Sequence, residues 1–455
     1  MLKCFRVLPA MFLLGACTDT TGVVVPILTP SSGNMTGYER IIIDTTMLEF
    51  EALQVESVWF GSNPAIDLTL TDDGKLSVLV QGSPVPGPVP VRIETQTKTH
   101  LLPAQFTYLP NQDPLFDQVI AFGASLTQGV QDGTPTHDGV LDSPAMALSR
   151  SLGAYMPHPV LVHGLFPTLD LDSVGPAPEC DAEDVADFIV AALPEVLASL
   201  ADPNDGPSYR LGRVDPDLEV HNLAAGNFMI DDMLLGPEAD EIVQSFLAGL
   251  SLDPNGAFMS PPDVTMIETV EQRFPSLIVS MDLMGNDVLN RTSIESVEPL
   301  LPILMERLAM TGAEVFLADM PDPALLHGVI NGSGTSGDDQ VLADQYNDLL
   351  QQEAERYPNV HIVPLATNAR ALAKDGIWVE DQEINLHMLG GIISFDGLHF
   401  SATGYAFTAQ LFVDTINDVL GTDVPDVDLA SVVERDFHTP DAIRDAGRDP
   451  TECWP

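Results

Sequence analysis

Five apolar runs in the later part of the chain constrain its fold most: QVIAFG (118–123), LEVHNLA (218–224), SLIVSMDLM (276–284), AEVFLADM (313–320) and VHIVPLA (360–366). Near-continuous hydrophobicity fits parallel strands covered on both faces, not the in-out alternation of a half-solvated sheet. Helix-period segments lie between the runs. In SVEPLLPILMERLAMTG (296–312), Leu300, Ile303, Leu304 and Leu308 share one face and Gly312 supplies a C-cap. GDDQVLADQYNDLLQQEAERYP (337–358) reads the same way. So does SATGYAFTAQLFVDTINDVLG (401–421), which starts near Ser401 and Thr403 and stops at Gly421. Strand-helix alternation predicts an α/β fold over 111–422, a three-layer domain around a mostly parallel five-stranded sheet. Residues 131–215 carry loops and one helix-like stretch, ECDAEDVADFIVAALPEVLASL, and are expected to form an insertion or lid. Open parallel sheets place their sites beyond the carboxyl ends of the strands. The residues just after each apolar run are therefore the ones to inspect.

The segment before this domain has a different grammar. Residues 26–110 hold short alternating runs (RIIID, VESVWFG, LTLTDDGKLSVLV, VPVRIET, QFTYL) punctuated by PSSGN, DDG and SPVPGPVP. Short, evenly spaced strands with turns roughly every ten residues argue for a small all-β sandwich. DDG between LTLT and KLSVLV is a hairpin signal. The order of PSSG, VWFG, PGPVPVRI and FTY resembles the immunoglobulin-like IPT/TIG domains, over about 85 residues, and implies a spacer or adhesive module.

At the N-terminus, Lys3 and Arg6 precede VLPAMFLL, an apolar stretch too short to span a bilayer. The following Leu14-Gly15-Ala16-Cys17 looks like a bacterial lipobox. That resemblance implies that residues 1–17 are a lipoprotein signal segment and that Cys17 takes the lipid, anchoring the chain at a membrane of the bacterial cell envelope. An ordinary signal peptide with an incidental cysteine is the alternative. Cys180 and Cys453 would then remain in an oxidising compartment, where a disulfide between them is chemically open. The net charge of −49 repels nucleic-acid phosphates, so a DNA- or RNA-binding role is excluded. Acidic loops such as DPNDG (202–206) lack calcium-loop spacing, and no metal is assigned. The tail, 423–455, has nine acidic and three basic residues and reads as a solvated extension.

Chemistry concentrates at the strand ends. Ser125 follows the first run, Gly226 the second and Asn286 the third, while Asp396 and His399 sit three residues apart in SFDGLHFSATGY, just ahead of the last helix. A histidine oriented by a carboxylate is a general base, and a strand-end serine is the hydroxyl it would activate. The Gly226 N–H and the Asn286 amide are candidate donors to an oxyanion. Each residue alone also fits a plainer role: a turn glycine, a capping Asn, a capping Asp beside a surface His. The conjunction at one sheet edge is what points to acyl transfer. His221 reads as a core or edge residue. His137, His158, His163 and His387 lack a carboxylate at a telling spacing, and Trp378 and Met388 read as packing residues.

FGASLTQG, NLAAG, GND and DGLHFSATGYA, in this order, resemble blocks I, II, III and V of the SGNH or GDSL-type hydrolases, covering residues 115–420. The resemblance implies Ser125 as nucleophile, His399 as base, Asp396 as its partner, and Gly226 and Asn286 as oxyanion donors beside the Ser125 amide. It implies hydrolysis of esters of lipids, acylated sugars or small alcohols, without a cofactor. Three positions depart from the pattern: Ala124 replaces the aspartate that precedes the serine, Met284 stands where block III has glycine, and Phe400 stands where proline often follows the histidine. The expectation is an exported esterase or lipase. The alternative is a surface-anchored binding or adhesion lipoprotein whose hydrolase domain is inactive.

Overall fold

The computed structural model describes residues 28–45, 54–111, 113–162, 168–175, 191, 194, 213–215, 218–236, 264–323 and 337–451. The lipobox, Cys180, Cys453, His163 and most of the 179–200 helix-like stretch lie outside these residues. The chain divides into two compact units.

The first unit takes in residues 39–80 and 88–107 and is all-β among its described residues. One of its sheets runs Leu28–Thr29, Gly37–Ile43, Leu76–Gln81, Ile66–Leu70; the other contains Thr99–Leu109, Gly87–Thr95, Val55–Phe60 and Asn63–Pro64 in that order. The DDG signal forms its hairpin: Ile66–Leu70 and Leu76–Gln81 pair antiparallel, and the Thr71 N–H donates to the Lys75 carbonyl at 2.9 Å. Alternation places Val58, Phe60, Val91, Ile93 and Phe106 inside, with the Phe60 and Phe106 rings edge to face at 5.2 Å. Residues 32–38 and 81–87, expected within the sandwich, group with the second unit; there the Thr36 hydroxyl donates to the Ser149 carbonyl at 2.8 Å.

The second unit is α/β. Strands Val119–Ala121, Leu277–Ser280, Glu314–Ala318 and Val360–Val363 form one parallel sheet in that order. The sheet has four strands rather than five. The LEVHNLA run contributes a single parallel bridge, Ala121 to Asn222, on the other side of the first strand. Its ladder is reduced to two backbone bonds, Ala121 N–H to His221 O at 3.0 Å and Leu223 N–H to Ala121 O at 2.8 Å. Counting that segment, the spatial order is second, first, third, fourth, fifth, so the order reverses between the first and third segments. Ligand sites of doubly wound sheets sit at such a reversal.

Side-chain alternation along the strands builds two cores. Ile120, Phe122, Ile278, Val315 and Leu317 join a cluster with helices Met266–Gln272, Leu301–Met310 and Gly337–Ala354. Val119, Ala121, Leu277, Val279, Phe316 and Val363 face the other way, among Ala145, Leu148 and Leu152 of helix Pro144–Leu152 and Ala409, Phe412, Val413 and Ile416 of helix Ala402–Leu420. The buried stripe of Leu301–Met310 is Leu301, Leu304, Met305 and Leu308; Ile303, expected on it, is 51% exposed, because at about 100° per residue it lies on the far side of the helix from Leu301 and Leu308. Helix Ala402–Leu420 has the caps expected of it: the Ser401 hydroxyl accepts from the Gly404 N–H, and Gly421 takes the left-handed conformation.

Two further expectations are corrected. Residues 137–152 are not a lid: helices His137–Asp142 and Pro144–Leu152 belong to the body of the unit, the second packing on the sheet. The tail is not a solvated extension either. Through residue 451 it forms helices Leu429–Arg435 and Pro440–Asp445 and buries Val433, Asp436, His438, Thr439 and Ile443. Val432, Val433 and Ile443 dock it, and of its aspartates only Asp436 is buried, against His438, while Asp423, Asp426, Asp441, Asp445 and Asp449 stay exposed. Among the described residues no helix is long and apolar enough to cross a membrane, and no group of His, Cys, Asp or Glu is arranged to hold a metal ion.

Candidate active site

The strand Val119–Ala121 ends in a turn that Gly123 makes possible. Its φ is +142°, and a Cβ there would lie 2.5 Å from Asp282 Oδ1 and 2.7 Å from Thr127 Oγ1. Ser125 opens the following single-turn helix, Ser125–Gln128. Asp282, at the end of the next strand over, grips this turn. One oxygen accepts the Ala124 N–H at 2.9 Å and the Thr127 hydroxyl at 2.6 Å; the other accepts the Leu126 N–H at 2.7 Å. The Thr127 N–H adds a longer contact at 3.4 Å. Burial pushes the Asp282 carboxyl up, and these four donors oppose the shift. The carboxylate takes the amides on both sides of Ser125 and leaves the Ser125 N–H without an acceptor.

On the opposite wall, Asp396 and His399 sit in the loop before Ala402–Leu420. His399 Nδ1 meets Asp396 Oδ2 at 2.7 Å, with both side chains almost wholly buried. Asp396 Oδ1 accepts the Leu398 and His399 N–H groups at 2.9 and 2.8 Å and the Ser394 hydroxyl at 3.0 Å. Burial alone would raise the Asp396 carboxyl, but the imidazole beside it and these donors hold it well below the usual carboxylate range. His399 Nε2 is buried and has no hydrogen-bond partner.

Ser125, Asn286 and His399 line one narrow cavity, about 20 Å³, whose other walls include Leu126, Asp282, Leu289, Met320, Pro321, Leu398 and Phe400. That space holds about one water-sized group. One hydrogen of the Asn286 amide is spent on the Phe228 carbonyl at 3.0 Å, which fixes the side chain and leaves the second for a ligand. Asp287 accepts the Ile230 N–H at 3.2 Å and so ties the 226–230 loop to the helix carrying Asn286; burial pushes its carboxyl up to about 7.

Four of the five expected residues are thus brought together: Ser125, Asn286 and His399 around the cavity, and Asp396 behind His399. Gly226 is not among them. Its N–H donates to Gln128 Oε1 at 2.9 Å, and it does not line the cavity. The left-handed residue of that loop is the next one, Asn227, at φ +66°. The departures from the family pattern are absorbed locally. Ala124 packs into the apolar cluster along with Met284, and Phe400 is buried against Tyr405. Asp282 was not singled out from the sequence. Its signal was an acidic residue closing an apolar strand two positions before Met284. The remaining histidines lie elsewhere: burial pushes His158 down to about 3 and His221 to about 4, and neither lines the cavity. Trp378 is exposed on the hairpin Ile377–Val379/Gln382–Ile384, and Met388 is buried in a separate cluster.

Compared with known proteins, the chain matches no family model and no curated sequence.

Proposed function

We propose that this protein is a serine esterase or lipase of the SGNH/GDSL type, exported and held at the cell envelope by lipid on Cys17, with an IPT/TIG-like sandwich as spacer. The observation that carries the reading is that Ser125 and His399 line one cavity, with the His399 Nε2 buried and unpartnered and its Nδ1 fixed on Asp396. A parallel sheet with apolar clusters on both faces, and a cavity at its order reversal, support the three-layer hydrolase arrangement.

In the proposed reaction, neutral His399 takes the Ser125 proton on Nε2 as Oγ attacks the ester carbonyl. The carbonyl oxygen becomes an oxyanion, received by the free Ser125 N–H and the spare Asn286 hydrogen. As the tetrahedral centre collapses, the bond to the alcohol oxygen breaks and His399 returns the proton to it. Water then repeats the cycle on the acyl-Ser125 ester and releases the acid. The Asp396 carboxylate stabilises the imidazolium at both stages. No cofactor enters these steps.

The test is covalent trapping. A fluorophosphonate probe should label the wild type and spare Ser125→Ala, and hydrolysis of p-nitrophenyl acetate should fall by about 10⁴-fold or more in that variant. Equal labelling and equal hydrolysis would end the proposal and favour the surface-binding reading.

A further inference from the structure

The tail carries a further buried histidine, outside the cavity. His438 Nε2 meets Asp132 Oδ1 and Nδ1 meets Asp436 Oδ1, both at 2.9 Å. Asp132, Asp436 and His438 are 1%, 3% and 0% exposed. With a carboxylate on each nitrogen, the ring holds both protons and a positive charge.

Both carboxylates also reach the loop that carries Asp396. Asp132 Oδ1 accepts the Phe395 N–H at 2.8 Å, and the Asp132 N–H donates to the Ser394 hydroxyl at 3.2 Å. The next residue, Gly133, donates its N–H to Asp396 Oδ2 at 2.7 Å, the same oxygen that holds His399. Asp436 Oδ2 accepts the Thr403 N–H at 2.7 Å, on the far side of the loop. The Phe395 ring lies 4.3 Å from the His438 ring.

We propose that His438 is a positioning residue for the Ser125–His399–Asp396 reaction: by pairing with Asp132 it holds the turn at 131–133 against the loop at 394–396, and Gly133 thereby fixes the Asp396 carboxylate that orients His399. This inference rests on the esterase reading.

The physical reason is charge. Burial pushes the Asp132 carboxyl up, and the neighbouring Asp396 carboxylate adds to the push. Unless a cation faces it, Asp132 must take a proton or withdraw, and withdrawal takes Gly133 with it. Burial would drive the proton off His438 too, but Asp132 and Asp436 outweigh it and push His438 up to about 10. The other charged or titratable groups around this cluster are Asp396 beside Asp132; Asp142 near Asp436, itself paired with Arg435; and Tyr405, whose hydroxyl donates to the Val130 carbonyl.

The test uses the full chain and two readouts, fluorophosphonate labelling rate and p-nitrophenyl acetate hydrolysis, from about pH 6 to 11. His438→Gln should keep KM and lower kcat and labelling about 10- to 100-fold, the size of a small misplacement at a reacting centre. The double variant with Asp132→Asn should be no worse than the poorer single variant, because both act through one contact. Wild-type activity should fall as pH rises through about 10, and His438→Gln should lack that limb. Wild-type kcat and an unchanged alkaline limb in His438→Gln would overturn the inference, whatever its melting temperature. Should His438→Gln fail to fold, Asp436→Asn decides: its alkaline limb moves to lower pH if the inference holds and stays put if it does not. A wild type labelled no faster than Ser125→Ala sinks the esterase reading instead, so the two failures are separable.

Discussion

His399 and His438 are both buried and both bonded through Nδ1 to an aspartate, at 2.7 and 2.9 Å; His399 lies within the 394–403 loop and His438 packs against its Phe395. They differ at the other nitrogen. Nε2 of His438 meets a second carboxylate, whereas Nε2 of His399 meets none, and His399 lines a cavity with Ser125. A buried polar atom left unpaired is costly, by about 1–3 kcal/mol; His158 Nδ1 is unpaired too, so what sets His399 apart is that it also lines a cavity with Ser125. On the proposed reading the same residue types serve chemistry in one place and cohesion in the other.

The largest effect that would test this contrast comes from the two aspartates. Asp396→Asn should lower kcat by about 10⁴-fold, the size seen when a triad carboxylate is neutralised, with little loss of stability. Asp436→Asn should do the reverse, costing about tenfold or less in kcat while lowering the melting temperature by several degrees. Comparable kcat losses in the two variants would erase the distinction. Next in size is Gly123→Ala. Its Cβ would collide with Asp282 Oδ1 and its φ is disfavoured for alanine, so the Ser125 turn must shift; we expect about a 100-fold loss of activity with the far cluster intact. Near-native activity in that variant would mean the Asp282 grip does not hold the serine. The smallest effect is on stability against pH. His438 is raised above its ordinary value of 6.5, so its contribution is complete below that pH and is lost as pH rises through about 10. Asp436 is lowered to about 2: burial opposes the shift and the His438 bond outweighs it. Its contribution is present above its ordinary value of 3.8 and is lost as pH falls through about 2. Chemical denaturation of wild type and His438→Gln across this range should show the alkaline loss in the wild type alone.

How much of this was legible in the letters follows from range. Apolar runs and helix periods are local, so four of the five strands and the capped helix Ala402–Leu420 could be read directly. The second run, 218–224, failed because a strand exists by its ladder, and only residue 222 makes a bridge. Gly226 failed for a similar reason: a glycine after a strand promises an accessible N–H, but Gln128, distant in sequence, takes it. Asp282 and His438 were unreadable because their meaning lies in partners more than 150 and 300 residues away.

The sequence by itself determined an α/β unit with a parallel sheet, a β-rich unit before it, the strand-end positions of Ser125 and Asn286, and the place of Asp396 and His399 just ahead of the last helix, since hydrophobic period and turn chemistry act over a few residues. Only the tertiary structure decided which donors stay free, which carboxylate grips the serine turn, and that an acidic tail folds back to bury a charged histidine. Those outcomes depend on which polar groups find partners across the fold, and pairing at that distance leaves no periodic trace in the chain.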